Sequence, residues 1–541
     1  MGMSWAGCSR LVVVAAVLML PAATPELQAR QAVASTVQAD AGFRASISPV
    51  VAPDGTVTGR LIFFFTESCE REPRRFVDPT VNPEPAIGMD ITDARADQPF
   101  VLTFDDLESR SSAAYGFRAP VGPIDPGLCV QAVLDLDSSR RSFNTPGNLY
   151  SDLHPISETL DDGGVSVVIN QVVQPLRISR SEWIRPIDVR SAILSDFHDR
   201  DVYLRAAVVL PDRRSYDAND PAHNDLPRVV VYHTPGLYGR HTYAWEWVDE
   251  NLGWQDGDWP LDALFVVLDP DVPLGHSTFA DSANNGPVAE ALIEELIPAV
   301  EGRFLPGSRP ITRFLSGHSS GGWTSLWLQI SYPDFFDGAW STAPDPVDFR
   351  AFQLVDIYTD ANAYYSAAGE ERPSVRRNGD VVLSIREENQ WELATGPGNQ
   401  WSSWFAVFGR RDPVDGGPVP LWNRLTGVID RTQIDHWRDY DIRVQLEERW
   451  STLAPDILRK IHIVGGSEDN YYLEGALEHL QDFLVETGFG TREEAGAVRL
   501  PGGGYVKILE GEDHSSFLGP ELTRELHAEM AQRLVEMARD R

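Results

Sequence analysis

Residues 313–322, which read RFLSGHSSGG, decide the fold of this chain. They contain the pattern G-x-S-x-G at Gly317, Ser319 and Gly321. An apolar, strand-like run comes directly before the pattern, and a helix-like stretch at 323–330 follows it. A serine between a strand and a helix occupies a sharp, strained turn in which only small neighbours avoid clashes. In this context the pattern predicts a nucleophile elbow with Ser319 as the nucleophile.

A serine nucleophile needs a base and an acid that orients the base. Two strand-like runs near the C-terminal end, at 460–464 and 505–509, are each followed by a polar loop. In the α/β-hydrolase fold the order along the chain is serine, acid and histidine. Asp469 and His514 lie in the two loops in that order, and Glu468 is the alternative acid. The predicted triad is therefore Ser319, Asp469 and His514.

Apolar runs alternate with helical patterns over residues 180–541. The run at 202–210 indicates a strand, and the compact runs at 228–232 and 264–268 are typical of strands that are buried on both faces. The stretch 287–303 begins with proline and has apolar residues at steps of three and four, which indicates a helix. Such alternation predicts an α/β domain with a mostly parallel sheet.

The segment 345–455 interrupts this alternation with many Asp, Gly and Pro turns. Thirteen of the fifteen tryptophans fall between residues 245 and 450. Those in the segment are Trp391, Trp401, Trp404, Trp422, Trp437 and Trp450. Because ligand pockets favour aromatic linings, we expect a Trp-rich cap insertion that covers the substrate. Burial of the tryptophans in a core is the alternative.

Residues 41–175 hold short apolar runs separated by clusters of Pro, Gly and Asp. This texture predicts an all-β, sandwich-like domain that precedes the α/β domain. The same stretch holds Cys69 and Cys129, and the third cysteine of the chain is Cys8. We expect Cys69 and Cys129 to form a disulfide in an oxidising compartment, and two buried free thiols are the alternative.

Residues 1–29 have the layout of a secretory signal peptide. A short basic start ends at Arg10, an apolar run occupies 11–20, and small residues follow at Ala22, Ala23 and Ala29. We expect cleavage after Ala29, with Ala23 as the alternative, and export to the periplasm or the extracellular space. No other stretch approaches the about 20 apolar residues that cross a bilayer, so we expect no membrane span in the mature chain.

The composition excludes some partners and cofactors. The 541 residues include 80 acidic and 46 basic side chains, for a net charge of -34. This charge repels phosphate backbones, so we expect no nucleic-acid partner. The sequence has no CxxC motif and no Cys/His pair at zinc spacing, and the acidic turn at 212–220 does not fit a calcium loop. We therefore expect neither a metal nor an organic cofactor. The oligomeric state cannot be read from the sequence.

Several motifs resemble the esterase family of α/β-hydrolases that includes esterase D, the feruloyl esterases, enterochelin esterase and the antigen 85 mycolyltransferases. The elbow GHSSGG at 317–322 is similar to that of the family, as is the helix DSANNGPVAEALIEE at 281–295, which continues into EELIP. The loops at 465–471 and 511–514 resemble its acid and histidine loops. The resemblance covers 225–345 and 455–520, and it implies an α/β-hydrolase domain with ester-cleaving activity.

One departure from the family concerns the oxyanion hole. The family usually has His-Gly after the preceding strand, whereas this chain reads HTPGLYG from His233 to Gly239. The glycines still allow the backbone to approach a substrate oxygen. We expect the backbone N–H of Ser320 to be one oxyanion donor, and that of Gly236 or Leu237 to be the other.

Together these patterns predict an exported serine carboxylic-ester hydrolase that acts on a small-molecule or glycan ester through an acyl-enzyme. One alternative is an acyltransferase that passes the acyl group to a sugar or lipid hydroxyl. A second is a non-catalytic binding protein on a hydrolase scaffold. A peptidase is a further alternative, because triad geometry alone does not select esters over amides.

Overall fold

The computed structural model describes residues 42–76, 80–81, 84–119, 124–136, 142–161, 164–175, 178–211, 228–250, 259–307, 310–493 and 496–540. The predicted signal peptide and the acidic turn at 212–220 lie outside the described residues. In the part of the chain that is described, no helix is both long enough and apolar enough to cross a bilayer.

The α/β domain is built on a mixed sheet of ten strands, in the order β11-β12-β14-β13-β17-β18-β21-β24-β23-β22. The six strands from β14 to β24 in this order are parallel, and antiparallel strands flank them on both sides. The strands are β11 (Ile184–Ser191), β12 (Val202–Val209), β13 (Val229–Thr234), β14 (Leu264–Leu268), β17 (Thr312–His318), β18 (Gly338–Thr342), β21 (Ile461–Gly466), β22 (Thr491–Arg492), β23 (Ala497–Arg499) and β24 (Tyr505–Leu509). Two separate hairpins are formed by β15 (Asp271–Val272) with β16 (Gly275–His276) and by β19 (Pro373–Arg377) with β20 (Asp380–Ser384).

Helices cover both faces of this sheet, and further helices belong to the insertion. They are α3 (Ala192–His198), α4 (Tyr243–Glu250), α5 (288–304, with a π-helical turn at Leu292–Leu296), α6 (Ser320–Ser331), α7 (Ile385–Thr395), α8 (Gln400–Phe408), α9 (Ile434–Arg438), α10 (Ile442–Glu448), α11 (Trp450–Lys460), α12 (Glu474–Glu486) and α13 (Pro520–Asp540). Alternate residues of β13 enter different cores: Val230 and Tyr232 pack under α5, and Val229 and Val231 pack under α4 and α13. Burial on both faces explains why these strands are continuous apolar runs.

The predicted elements of the α/β domain form close to where the sequence patterns put them. β14 and β24 coincide with the predicted runs, and α5 begins one residue after the predicted helix start. The helix after the elbow begins at Ser320, which is earlier than the apolar pattern indicates, because its first turn consists of serine and glycine.

Residues 42–172 form a second mixed sheet of ten strands, in which most of the paired strands are antiparallel. Its main path runs β4-β1-β10-β7-β6-β2-β3-β5, with β8 paired to β6 and β9 paired to β10. The strands are β1 (Gly42–Ile47), β2 (Thr56–Thr66), β3 (Ala86–Arg95), β4 (Phe100–Thr103), β5 (Tyr115–Phe117), β6 (Cys129–Asp135), β7 (Leu149–Ser151), β8 (His154–Pro155), β9 (Leu160–Asp161) and β10 (Gly164–Val172), with the short helices α1 (Phe104–Ser109) and α2 (Ile156–Thr159).

The N-terminal sheet curls on itself. Three strands separate β1 from β2 in the sheet, yet the ring of Phe43 lies 5.6 Å from that of Phe63 and 5.3 Å from that of Phe65. One continuous hydrogen-bonded sheet therefore encloses the apolar core. The predicted sandwich would instead have two separate sheets. The boundaries of a separate all-β domain stay a prediction.

The predicted disulfide between Cys69 and Cys129 is present, with the two Cα atoms 5.7 Å apart. It joins the segment after β2 to the first residue of β6, and Thr66 of β2 pairs with Cys129 in the sheet. The bond therefore reinforces two strands that are already neighbours.

The tryptophans of the insertion build a core of their own. Trp401, Trp404, Trp422 and Trp437 are at most 2% exposed and belong to one apolar cluster. Trp401 contacts both Trp404 and Trp422 at 4.7 Å between ring centres. The segment is also more regular than its turn-rich sequence indicates, since it holds the β19–β20 hairpin and α7 to α11. For these four residues core burial, the alternative in the sequence analysis, is what the structure shows, and the cap stays a prediction.

The N-terminal sheet docks on α7 of the insertion. Trp391 packs against Phe64 and Phe117, with ring centres 6.0 and 5.5 Å apart. The Arg60 guanidinium donates hydrogen bonds to the backbone carbonyls at the end of α7, including that of Ala394 at 3.0 Å. The two parts of the chain therefore share an interface of apolar rings and a buried arginine.

We predict that Gly88→Ala weakens this docking. A Cβ at Gly88 would lie 2.1 Å from the carbonyl oxygen of Ala394, which belongs to the backbone of α7. Overpacking of this kind costs about 1–3 kcal/mol, so the midpoint of thermal unfolding should fall. Gly302→Ala is the control, because a Cβ there meets nothing within 4 Å. Unfolding of both variants at the wild-type temperature would contradict the close contact between β3 and α7.

Candidate active site

Ser319 occupies the strained turn that the sequence pattern predicts. It follows the last residue of β17 and precedes α6, with φ of 58° and ψ of -124°. A Cβ at Gly317 would lie 2.0 Å from the carbonyl oxygen of Gly321, and a Cβ at Gly321 would lie 1.8 Å from that of Thr234. No side chain fits at either position, so the two glycines are required for the turn to form.

The predicted acid and base lie in the loops after β21 and β24 and contact each other. His514 Nδ1 donates to Asp469 Oδ2 at 2.7 Å, and both side chains are buried. The other carboxylate oxygen of Asp469 accepts from the backbone N–H of Tyr471 at 2.8 Å. Burial lowers the pKa of the His514 imidazole, but the charge and hydrogen bond of Asp469 outweigh burial and hold this pKa above its ordinary value.

The alternative acid, Glu468, does not contact His514 through any hydrogen bond or ion pair between the described residues. Its side chain is 61% exposed, and its carboxylate lies 3.7 Å from Arg376. Asp469 is therefore the acid that orients the imidazole.

Ser319 and His514 line one cavity of about 210 Å³. Its walls come from the N-terminal sheet region, the loop after β13, the insertion and the two triad loops. The lining residues are Thr80, Gly236, Leu237, Tyr238, His318, Ser319, Asp345, Gln353, Glu388, Gln400, Trp404, Tyr471, Leu473 and His514. Of the tryptophans in the insertion, Trp404 is among these residues.

The residues predicted for the oxyanion hole surround the nucleophile. Ser320 is the first residue of α6, so its N–H belongs to the unpaired donors at the helix N-terminus. A Cβ at Gly236 would lie 3.1 Å from the Cβ of Ser319, which shows how closely this backbone passes the nucleophile. Gly236 and Leu237 line the same cavity. Their role as donors stays a prediction.

The sequence analysis missed Asp345, which is buried beside the nucleophile. Its Oδ2 accepts hydrogen bonds from Ser320 Oγ at 2.7 Å, Trp404 Nε1 at 2.8 Å and Gln400 Nε2 at 3.2 Å. Its backbone N–H donates to the carbonyl of Ser319 at 3.2 Å. Burial raises the pKa of this carboxyl to about 6, although the hydrogen bonds from Ser320 and Trp404 oppose that shift. One signal was available, because Asp345 follows a parallel strand as the triad residues do.

His318 lies beside His514. Its ring centre is 4.6 Å from that of His514. Burial, and then the neighbouring His514 and His233, hold the pKa of His318 well below its ordinary value, so this imidazole is neutral. It separates the small cavity from a second cavity of about 710 Å³, which α4 and α13 cover with mostly apolar side chains.

Within the described residues, no group of three or more His, Cys, Asp or Glu side chains is placed to hold a metal ion. What the cavity brings together is a strained serine, a buried acid–histidine pair and backbone N–H groups. This arrangement can perform nucleophilic acyl transfer.

We predict that Asp469→Asn lowers the pKa of His514. The variant removes the charge that raises this pKa, while burial, which lowers it, remains. An NMR titration of the histidine signals would measure the change. Glu468→Gln is the matched control and should leave the pKa of His514 near its wild-type value. An unchanged pKa in Asp469→Asn would show that the contact at 2.7 Å does not determine the ionisation of the base.

Comparison with known proteins agrees with this site. Residues 275–483 match the esterase family model, which is described as "Putative esterase". The matched range includes Ser319 and Asp469, spans the insertion and ends before His514. No curated protein matches the chain.

Solved structures align with much of the chain at low sequence identity. An S-formylglutathione hydrolase from Agrobacterium tumefaciens is 14% identical and covers 66% of this chain and 98% of its own, with a TM-score of 0.36. The siderophore hydrolase EstA from Aspergillus nidulans is 12% identical over 66% and 98% of the two chains, with a TM-score of 0.35. Est1E from Butyrivibrio proteoclasticus is 13% identical over 65% and 99%, with a TM-score of 0.32. The fold assignment rests on the sheet order and the family match, because these TM-scores are low.

The resemblance found in the sequence is thus confirmed by the family match. The strained elbow serine and the buried acid–histidine pair lie at the ends of parallel strands. The family match over residues 275–483 supports a serine ester hydrolase of the α/β-hydrolase class.

Proposed function

We propose that the chain hydrolyses a carboxylic ester through an acyl-enzyme on Ser319, with His514 as the base and Asp469 as its orienting acid. The observation that carries this proposal is the 2.7 Å bond between His514 and Asp469 beside the cavity that Ser319 lines. Without that bond, a serine in a strained turn would lack an oriented base.

In the first step Ser319 Oγ attacks the ester carbonyl, and the Nε2 of His514 accepts the hydroxyl proton. Asp469 holds the proton on Nδ1, so Nε2 is the nitrogen that is free to accept. The imidazolium that forms is stabilised by the Asp469 carboxylate. The backbone N–H of Ser320, with that of Gly236 or Leu237, stabilises the oxyanion, at about 2.7–4 kcal/mol per donor.

Collapse of the tetrahedral intermediate breaks the ester bond, and His514 returns the proton to the leaving alcohol. A water molecule then attacks the acyl-enzyme with His514 again as the base, and Ser319 regains its proton. The alcohol thus leaves with the proton that came from Ser319, water replaces that proton, and the acyl group leaves as the carboxylic acid.

The proposed substrate is a small ester, since the cavity at Ser319 is only about 210 Å³. We propose that the insertion acts as a cap, because Gln353, Glu388, Gln400 and Trp404 all come from it and line the cavity. Export to the periplasm or the extracellular space is part of the proposal. It is supported by the signal-like N-terminus and by the Cys69–Cys129 disulfide, which persists in oxidising compartments.

We predict that Ser319→Ala loses activity against p-nitrophenyl acetate and butyrate by about 10³-fold or more, since the acyl-enzyme cannot form. Labelling by a fluorophosphonate probe should disappear as well. Ser325→Ala is the matched control, because Ser325 is buried in α6 and does not line the cavity. Equal rates in wild type and Ser319→Ala would refute the proposal.

Two further outcomes distinguish the alternatives. A wild-type protein that the probe does not label at Ser319 would be a binding protein on a hydrolase scaffold. A labelled protein that releases acyl product only when a sugar or lipid alcohol is added would be an acyltransferase.

A further inference from the structure

The cavity at Ser319 has an acidic and aromatic wall. Carboxylates of Asp345 and Glu388 and rings of Tyr238, Trp404 and Tyr471 line it. None of the described lining residues is lysine or arginine. The wall therefore combines carboxyl groups with aromatic rings.

Asp345 presents an oxygen to this cavity. Its three side-chain hydrogen bonds, from Ser320, Trp404 and Gln400, all fall on Oδ2. Among the described residues no hydrogen bond falls on Oδ1. The side chain is 3% exposed overall, and Asp345 nonetheless lines the cavity. Oδ1 is thus the oxygen that a ligand beside Ser319 can reach.

The position of Asp345 is costly for a free enzyme. A buried carboxylate without a paired cation loses the hydration that stabilises its charge, and neutral donors compensate only in part. Its charge also opposes the oxyanion that would form beside Ser320. A cationic group on the bound ester would remove both costs, because it would pair with the carboxylate next to the reacting carbonyl.

Trp404 supports the same conclusion independently. Its indole N–H is held by Asp345, and its ring is fixed by edge contacts at 4.7 Å with Trp401 and with Phe352. The face of an indole ring attracts ammonium groups, and desolvation strengthens this attraction. Asp345 lies at the N–H edge of this ring, and both residues line the cavity, so an ammonium ion bound there can contact a carboxylate and an aromatic ring together.

We propose that the cavity selects esters that carry a positively charged ammonium group close to the scissile bond, and that Asp345 and Trp404 bind this group. This inference rests on the proposed function, since it concerns the substrate class of the same site.

The Asp345 carboxyl changes its charge within a pH range in which enzyme rates can be measured. With its pKa raised by burial to about 6, the carboxylate is charged above that pH and becomes neutral below it. The titratable groups that face it are His514 and His318 at the nucleophile and Glu388 across the cavity. His514 acts as the base only when its imidazole is neutral, whichever ester is bound, so this requirement lowers both rates by the same factor and cancels in their ratio.

The experiment compares esters with neutral isosteres of the same shape. For the alcohol side, the pair is butyrylcholine, which is the butyrate ester of choline, and 3,3-dimethylbutyl butyrate. For the acyl side, the pair is alanine methyl ester and methyl isobutyrate, with methyl lactate as a neutral hydroxyl donor. We expect kcat/KM of the cationic ester to exceed that of its isostere by about tenfold or more in at least one pair, since bonds to charged groups are the stronger ones. The comparison is made at about pH 7, where the Asp345 carboxyl is charged and the α-amino group of the alanine ester, with an ordinary pKa of about 7.7–8.0, is still protonated.

Two changes should abolish this preference. In Asp345→Asn the ratio should fall towards one, and Glu468→Gln, which removes an exposed carboxylate near the triad, should leave it unchanged. In the wild type the ratio should fall as the pH is lowered to about 5, which is a test that needs no variant. A ratio that persists in Asp345→Asn or is independent of pH would overturn the role of Asp345.

The remaining outcomes separate this inference from the proposed function. A wild type that hydrolyses the neutral esters with a ratio of one in both pairs overturns the ammonium proposal and leaves ester hydrolysis intact. If methyl lactate is preferred over methyl isobutyrate and alanine methyl ester is not, the ammonium proposal is also overturned. If no ester is cleaved and the fluorophosphonate probe fails to label Ser319, both proposals fail together.

Discussion

The strained turn at Ser319 is the constraint on which the α/β domain depends. Its left-handed φ is held by two backbone contacts, Gly317 against Gly321 and Gly321 against the carbonyl of Thr234. Since β13 and β17 are adjacent parallel strands, the second contact also sets the distance from the nucleophile to the loop that carries Gly236. A side chain at either tight glycine would separate the serine from its predicted oxyanion donors.

Asp345 extends this constraint from the sheet into the insertion. It binds the carbonyl of the nucleophile through its backbone and the hydroxyl of Ser320 through its side chain, and it also accepts from Gln400 and Trp404 of α8. The insertion is in turn packed against the N-terminal sheet through Trp391. The elbow, the insertion and the N-terminal sheet are thus joined by a continuous series of contacts, and the cavity lies where they meet.

Much of the central sheet was predictable from local patterns. β14 is buried along its whole length and consists of consecutive apolar residues, so it could be read directly from the sequence. β24 is only partly buried and contains Lys507, but its other residues still form a recognisable strand-like run. The N-terminal sheet was harder, because β3 and β5 lie among turn residues and are identified only by their partners. The number and clustering of the tryptophans in the insertion are visible in the sequence, and the clustering led us to expect that they line a pocket. Most are in a core, because large aromatic side chains gain most when they are fully buried.

The sequence by itself determined the candidates for nucleophile, base and acid. Ser319, Asp469 and His514 each follow a strand-like run, and that relation is local along the chain. Only the tertiary structure decided that Asp469, and not Glu468, contacts the histidine, since two adjacent residues of one loop point in different directions. It also decided that Asp345 lies beside the nucleophile, because its partners come from distant parts of the chain and meet only when the parallel strands bring their ends to one edge of the sheet.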